Sequence, residues 1–152
     1  MKVVVVGCTH AGTAAIVNLK KLQPEAEITV FERNDNISFL SCGIALYVGG
    51  VVKDPHGLFY SSPEALEKLN VETKMKHNVK SVDIAGKKVK VQNIGTGEET
   101  EVNYDKLIVT TGSWPITPKI PRINSNNILL YKNYNHSNDI IEKSKNEKKI
   151  VI

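Results

Sequence analysis

The run Lys2-Val3-Val4-Val5-Val6-Gly7 is β-branched and unbroken, and it ends on glycine. Strict alternation would suit a strand with one wet face. A continuous run suits a strand buried on both faces, as in a parallel sheet with both sides covered. After the glycine, apolar residues fall at Ala11, Ala14, Ala15, Val17, Leu19 and Leu22, a helical spacing closed by Pro24. Ile28-Thr29-Val30-Phe31-Glu32 then reads as a second strand. Strand, Gly-containing turn, helix and strand between residues 2 and 32 make a βαβ unit, whose strands pair in parallel with a right-handed crossover.

The chain has 152 residues, about one domain's worth. Cys42 to Tyr47 reads as a short helix after an Asn/Asp/Ser-rich turn. Ser61-Ser62-Pro63-Glu64 opens another, with Pro63 in the first turn. Val71 to Met75 suits a third parallel strand. Val79–Ile84, Lys88–Ile94 and Glu99–Tyr104 alternate and are split by Gly-containing turns, which predicts an antiparallel meander. Lys106 to Gly112 is a further buried strand. Trp114-Pro115, Thr117-Pro118 and Ile120-Pro121 then form a stiff linker where no helix can grow. A helix is expected near Ser137–Ser144. The closing Lys149-Ile150-Val151-Ile152 resembles the opening strand. The expected class is α/β: a Rossmann-like parallel-sheet nucleotide domain over 1–115 with an antiparallel β-meander, a connecting segment over 116–148, and the first strand of a second nucleotide-binding domain over 149–152.

Charge and composition exclude several functions. Of the net charge of +4, residues 1–115 contribute nothing, with 13 basic and 13 acidic side chains; the excess lies in the tail, scattered and without aromatic interleaving. Nucleic acid or a membrane surface would want a concentrated patch, so neither is an expected partner. No apolar stretch approaches the roughly 18 residues of a membrane span, and the opening run is too short for a signal peptide. Two cysteines make no disulfide framework, which points to a reducing, cytoplasmic compartment.

The chemistry concentrates in two places. Gly7-Cys8-Thr9-His10-Ala11-Gly12 joins the first strand to the first helix, whose free N–H groups and positive dipole end suit a pyrophosphate. Thr9 replaces the middle glycine of the usual G-x-G-x-x-G, but Glu32, 20 residues beyond Gly12, stands where an acidic side chain accepts from ribose hydroxyls. Glu32 disfavours a 2′-phosphate, while the adjacent Arg33 leaves it open. The second place is Ser38-Phe39-Leu40-Ser41-Cys42-Gly43-Ile44. Cys42 follows a turn and precedes a helix, where a dipole favours thiolate; without a nearby second cysteine it suits thiolate/sulfenic acid cycling, or else core packing. His10, inside the phosphate loop, suits a proton donor or a thiolate partner, or a solvated bystander. His56, His77 and His136 form no metal-spaced set, so no metal is expected.

Gly7-x-x-His10-x-Gly12, Glu32, Asn36-Ile37-Ser38-Phe39-Leu40-Ser41-Cys42-Gly43 and Tyr104-Asp105-Lys106-Leu107-Ile108-Val109-Thr110-Thr111-Gly112 together resemble the NADH oxidase/NADH peroxidase branch of the flavin-dependent pyridine nucleotide–disulfide oxidoreductases. The resemblance runs from Met1 to Ile152. Coenzyme A-disulfide reductases share the single cysteine but are less similar around Cys42. Cys42 to Tyr47 and Lys53 to Tyr60 look more like the water-forming oxidase than the peroxidase.

The resemblance implies that 1–115 is the N-terminal part of an FAD-binding domain. Gly7, Cys8, Thr9, His10, Ala11 and Gly12 would cradle the FAD pyrophosphate, and Glu32 and Arg33 would lie at the adenosine ribose. Thr110, Thr111, Gly112 and Ser113 would approach the flavin. Cys42 would be the redox thiol, with His10 nearby. NADH would be the electron donor, and oxygen or hydrogen peroxide the acceptor. It also implies that the family's NADH-binding domain, returning segment and dimerisation domain lie beyond this chain, and that full-length relatives are homo-oligomers. An NADH peroxidase and a non-catalytic FAD-binding fragment are the competing expectations.

Overall fold

The valine run forms β1 (Lys2–Val6) in the computed structural model, which describes residues 1–146 and 149–151. β1 pairs in parallel with β2 (Glu27–Glu32), Val3 opposite Ile28 and Val5 opposite Val30. On its other side it pairs in parallel with β7 (Lys106–Val109), Val4 opposite Leu107. β3 (Val71–Met75) adds in parallel to β2, giving the order β3-β2-β1-β7.

The period of two explains why four consecutive valines are needed. Val3 and Val5 join Ile16 of α1 (His10–Leu22), Ile28, Val30, Ile37, Leu66 and Val71 in one core cluster. Val4 and Val6 join Phe31, Val89, Val91 and Tyr104 in another. The second cluster is supplied by an antiparallel sheet of β4 (His77–Asp83), β5 (Lys88–Asn93) and β6 (Glu99–Asn103). Helix covers one face of the parallel sheet and meander the other. Each buried valine contributes about 1.5–3 kcal/mol relative to an exposed one.

The chain divides into two compact units, one made of Met1–Ser38 and Phe59–Gly112, the other of Phe39–Leu58 and the chain from Ser113 onward. This grouping differs from the expected 1–115, 116–148 and 149–152, because the segment 39–58 packs with the C-terminal helix. In that second unit α2 (Ile44–Val48) meets α4 (Tyr134–Ser144): the Tyr47 and Tyr134 rings stack with centroids 6.0 Å apart, and the Tyr47 hydroxyl donates to Asn138 Oδ1 at 3.0 Å. Phe39 packs against Tyr134 at 5.5 Å.

Local signals account for most boundaries. In the first unit, α3 (Pro63–Glu67) starts where Ser62 Oγ accepts the Ala65 N–H at 3.2 Å. In the second, α4 begins three residues before the expected Ser137, because the Asn133 side chain accepts the His136 N–H at 2.9 Å and caps it. β7 stops at Val109 instead of reaching Gly112, and as an edge strand it is only half-buried. Residues 113–132 carry only turns and irregular chain, as their proline pairs predict. Lys149–Val151 form no strand; a strand needs a neighbouring ladder to satisfy its backbone. Ile152, the last residue of that expected strand, lies outside the described residues.

Candidate nucleotide loop and redox thiol

The loop after β1 is built around two glycines that admit no side chain. Gly7 has φ +90°, and a Cβ there would lie 2.5 Å from the Thr110 carbonyl oxygen. A Cβ on Gly12 would collide with the Gly7 carbonyl oxygen and lie 2.9 Å from Thr110 Oγ1. Thr110 ties the end of β7 to this loop: its N–H donates to the Val6 carbonyl at 2.8 Å, and its hydroxyl donates to the Gly7 carbonyl at 2.8 Å. Thr9, where the usual fingerprint has its middle glycine, sits at φ −98°. That lies outside the left-handed region that favours glycine, so the position does not call for glycine through its φ.

Thr9 is also the N-cap of α1, and no side chain caps the helix; its first turn contains no acidic residue. The first N–H groups of a helix have no intrahelical partner. This end therefore presents donors and a positive dipole to an anion. His10 and Ala11 are exposed on this first turn, and the His10 ring meets Tyr60 edge-on, centroids 5.5 Å apart.

Glu32, at the end of β2, is buried to 3% exposure and held by three donors. The Cys8 N–H donates to Oε2 at 2.8 Å. The Asn34 N–H and Asn34 Nδ2 both donate to Oε1, at 2.9 and 2.7 Å. Burial of a carboxylate is tolerable because these bonds replace water. Arg33 beside it is exposed, as are Thr111 and Gly112, the latter at φ +68°.

Cys8 points the other way, into the core. Its thiol is fully buried and lies 3.5 Å from Thr13 Oγ1, which is 2.8 Å from Ser38 Oγ. Ser38, at φ +58°, also donates its N–H to the Cys8 carbonyl at 2.8 Å. Burial pushes the Cys8 thiol up to about 11; the Thr13 hydroxyl offsets part of this, and the Glu32 charge adds to the rise. Asn34 and Thr13 escape a reading of sequence alone, which names Ser38 and Tyr60 only as members of longer motifs. Only Asn34 leaves a trace there, two residues beyond the acidic position.

Cys42 belongs to the second unit and has the opposite environment. It sits exposed in a 3-10 turn, Ser41–Gly43, that leads into α2. Leu58 fixes the turn: its carbonyl accepts the Leu40 N–H at 2.8 Å, and its side chain lies where a Gly43 Cβ would be, 2.5 Å away. Core packing is thereby ruled out for this thiol. Ser113 is exposed in the same unit, while Gly7, Cys8, Gly12, Glu32 and Thr110 are brought together in the first. Among the described residues no group of three or more His, Cys, Asp or Glu side chains is placed to hold a metal ion.

A parallel βαβ sheet, a glycine cradle at an uncapped helix end and a fixed carboxylate on the next strand define a Rossmann-type dinucleotide-binding protein. The chain belongs to the pyridine nucleotide-disulphide oxidoreductase family, whose pattern matches residues 1–152. It is 60% identical over its whole length to an NADH oxidase of Enterococcus faecalis, of which it covers 34%. An NADH oxidase of Mycoplasma pneumoniae is 37% identical over 98% of the chain and is likewise covered for 34%. Among solved structures, the water-forming NADH oxidase from Lactobacillus brevis bound to NADH superposes with a TM-score of 0.93 at 56% identity, over 96% of this chain and 32% of that one. The chain thus spans about a third of the length of these relatives. The family's enzymes are FAD-dependent oxidoreductases that use NAD(H). No helix among the described residues is long and apolar enough to cross a membrane.

Proposed function

We propose that this chain is the FAD-binding and redox-thiol portion of a cytoplasmic NADH oxidase that reduces oxygen to water. The observation that carries the reading is the split between its two thiols, one sealed in the core and one exposed. It is supported by the likeness to NADH oxidases over the full chain. The residues present fit FAD: Gly7 and Gly12 leave a cradle that any Cβ would fill, the α1 N-terminus offers free donors, and Glu32 supplies a fixed acceptor. When bound, FAD would supply two-electron transfer from NADH and reaction with oxygen.

The chain's own residues have separable tasks. The Gly7–Gly12 loop would hold the pyrophosphate through backbone N–H groups, and Glu32 would accept from the adenosine ribose. Thr110, Thr111, Gly112 and Ser113 would line the approach to the flavin, and Arg33 would flank the ribose. Cys42 acts on hydrogen peroxide: its thiolate takes one oxygen atom and becomes a sulfenic acid, and the hydroxide released takes a proton to become water. A second NADH and a proton return the sulfenic acid to thiol and release the other water.

The test uses a longer enzyme that carries these residues. Cys42→Ser is expected to keep consuming NADH and oxygen but to release about one hydrogen peroxide per NADH, since serine accepts no oxygen atom. Peroxide release that stays near zero contradicts the reading. Dependence on added peroxide in place of oxygen would identify an NADH peroxidase instead.

A further inference from the structure

We propose that Asn34 is a positioning residue, which fixes the Glu32 carboxylate so that one of its oxygens faces a ribose hydroxyl of the bound dinucleotide. The proposal rests on the reading of Glu32 as the ribose acceptor and assigns a task to a residue outside the fingerprint. A carboxylate offers about four acceptor directions. Asn34 takes both of those on Oε1, one through its backbone N–H at 2.9 Å and one through Nδ2 at 2.7 Å. The Cys8 N–H takes one on Oε2 at 2.8 Å. The open direction is left on Oε2, the oxygen that already faces the phosphate loop through Cys8.

Asn34 is itself held from its far side. Its carbonyl accepts the Lys76 N–H at 3.0 Å, at the junction of β3 and β4, where Lys76 has φ +55°. The clamp therefore runs from the β3–β4 turn through Asn34 to Glu32 and on to the loop. Without the Nδ2 bond, the carboxylate has one donor fewer and can turn away from the hydroxyl. A general loosening would weaken every nucleotide alike. Loss of the clamp selectively weakens those that have the hydroxyl, so discrimination between ribose and deoxyribose is the diagnostic quantity.

The experiment measures binding of ADP, 2′-deoxy-ADP and 3′-deoxy-ADP to the purified 152-residue chain by calorimetry, with the Cys8 amide proton followed by NMR. For the unaltered chain, at least one deoxy analogue is expected to bind about tenfold or more weakly than ADP, the worth of a charge-assisted hydrogen bond. In Asn34→Leu that ratio falls to about threefold or less, and the Cys8 amide resonance moves upfield as its acceptor is released. Asn34→Ser, which like the leucine variant keeps the backbone donor and removes Nδ2, gives the same reduction should the leucine variant not fold. A preserved ratio and an unmoved Cys8 resonance in a folded variant overturn the proposal and leave the Glu32 reading standing. Equal affinity of the unaltered chain for all three nucleotides overturns the Glu32 reading itself.

Discussion

The two cysteines mark two regions that use the same side chain for opposite ends. Around Cys8 every neighbouring group is spoken for: its N–H binds Glu32, its carbonyl binds Ser38, its thiol packs beside Thr13, and none of it is exposed. Around Cys42 only the backbone is fixed, through Leu58 and Gly43, and the sulfur is left in the open. The first arrangement spends its polar groups on holding a loop still. The second holds a turn and leaves the reactive atom available. Proximity in the motif order says nothing about this difference; burial does.

The largest effect should come from breaking the Cys8 region at its tightest point. Gly12→Ala drives a methyl group into the Gly7 carbonyl, a backbone atom already held by the Thr110 hydroxyl. Stability measured by urea denaturation is expected to fall by more than about 3 kcal/mol, beyond the usual range for overpacking. A loss below 1 kcal/mol would show that the loop is looser than its contacts imply.

The Cys8 thiol gives the next effect through pH. In the unfolded chain it releases its proton near 9.0, in the folded chain near 11. The folded state's advantage is thus intact below pH 9 and shrinks as pH rises through 11. The full loss is about 2–3 kcal/mol. Cys8→Ala removes this contribution, so the variant should lose less stability than the parent between pH 8 and about pH 11. Lysines and tyrosines titrate in both chains and cancel in the difference. Parallel pH profiles would mean that Cys8 is not sealed.

How much of this was legible beforehand follows the same division. The valine run announced β1 and its two covered faces, because side chains in a strand alternate and four in a row must serve both sides. Gly7 and Gly12 were legible because a close approach of backbone needs glycine, and Glu32 because an acidic residue ending a buried strand stands out in the sequence. Thr9 departs from the fingerprint, and its negative φ places it outside the left-handed region that favours glycine. Asn34 and Thr13 were not legible, since a polar residue gives no sign in the sequence of what it faces once the chain closes. The grouping of 39–58 with the C-terminal segment was also hidden, because it depends on Tyr47 and Phe39 meeting Tyr134, about 90 residues away in sequence. Residues 149–151 carried a strand pattern without a ladder to join.

The smallest effect belongs to the second unit. Asn133→Ala removes the cap of α4 and is expected to cost about 1 kcal/mol. Trp114, the single tryptophan, lies against His136 of the same helix with ring centroids 5.3 Å apart, so its fluorescence reports this unit. A change in that emission midpoint with an unchanged Cys8 labelling rate would show that the two regions respond separately.

The contrast between the thiols is tested most directly by exposing the folded chain to hydrogen peroxide with a sulfenic-acid trap and locating the adduct by mass spectrometry. The trap is expected on Cys42, with Cys8 unmodified until the chain is unfolded, because the thiolate is the species that reacts and burial suppresses it at Cys8. An adduct on Cys8 in the folded chain, or none on Cys42, would contradict the account.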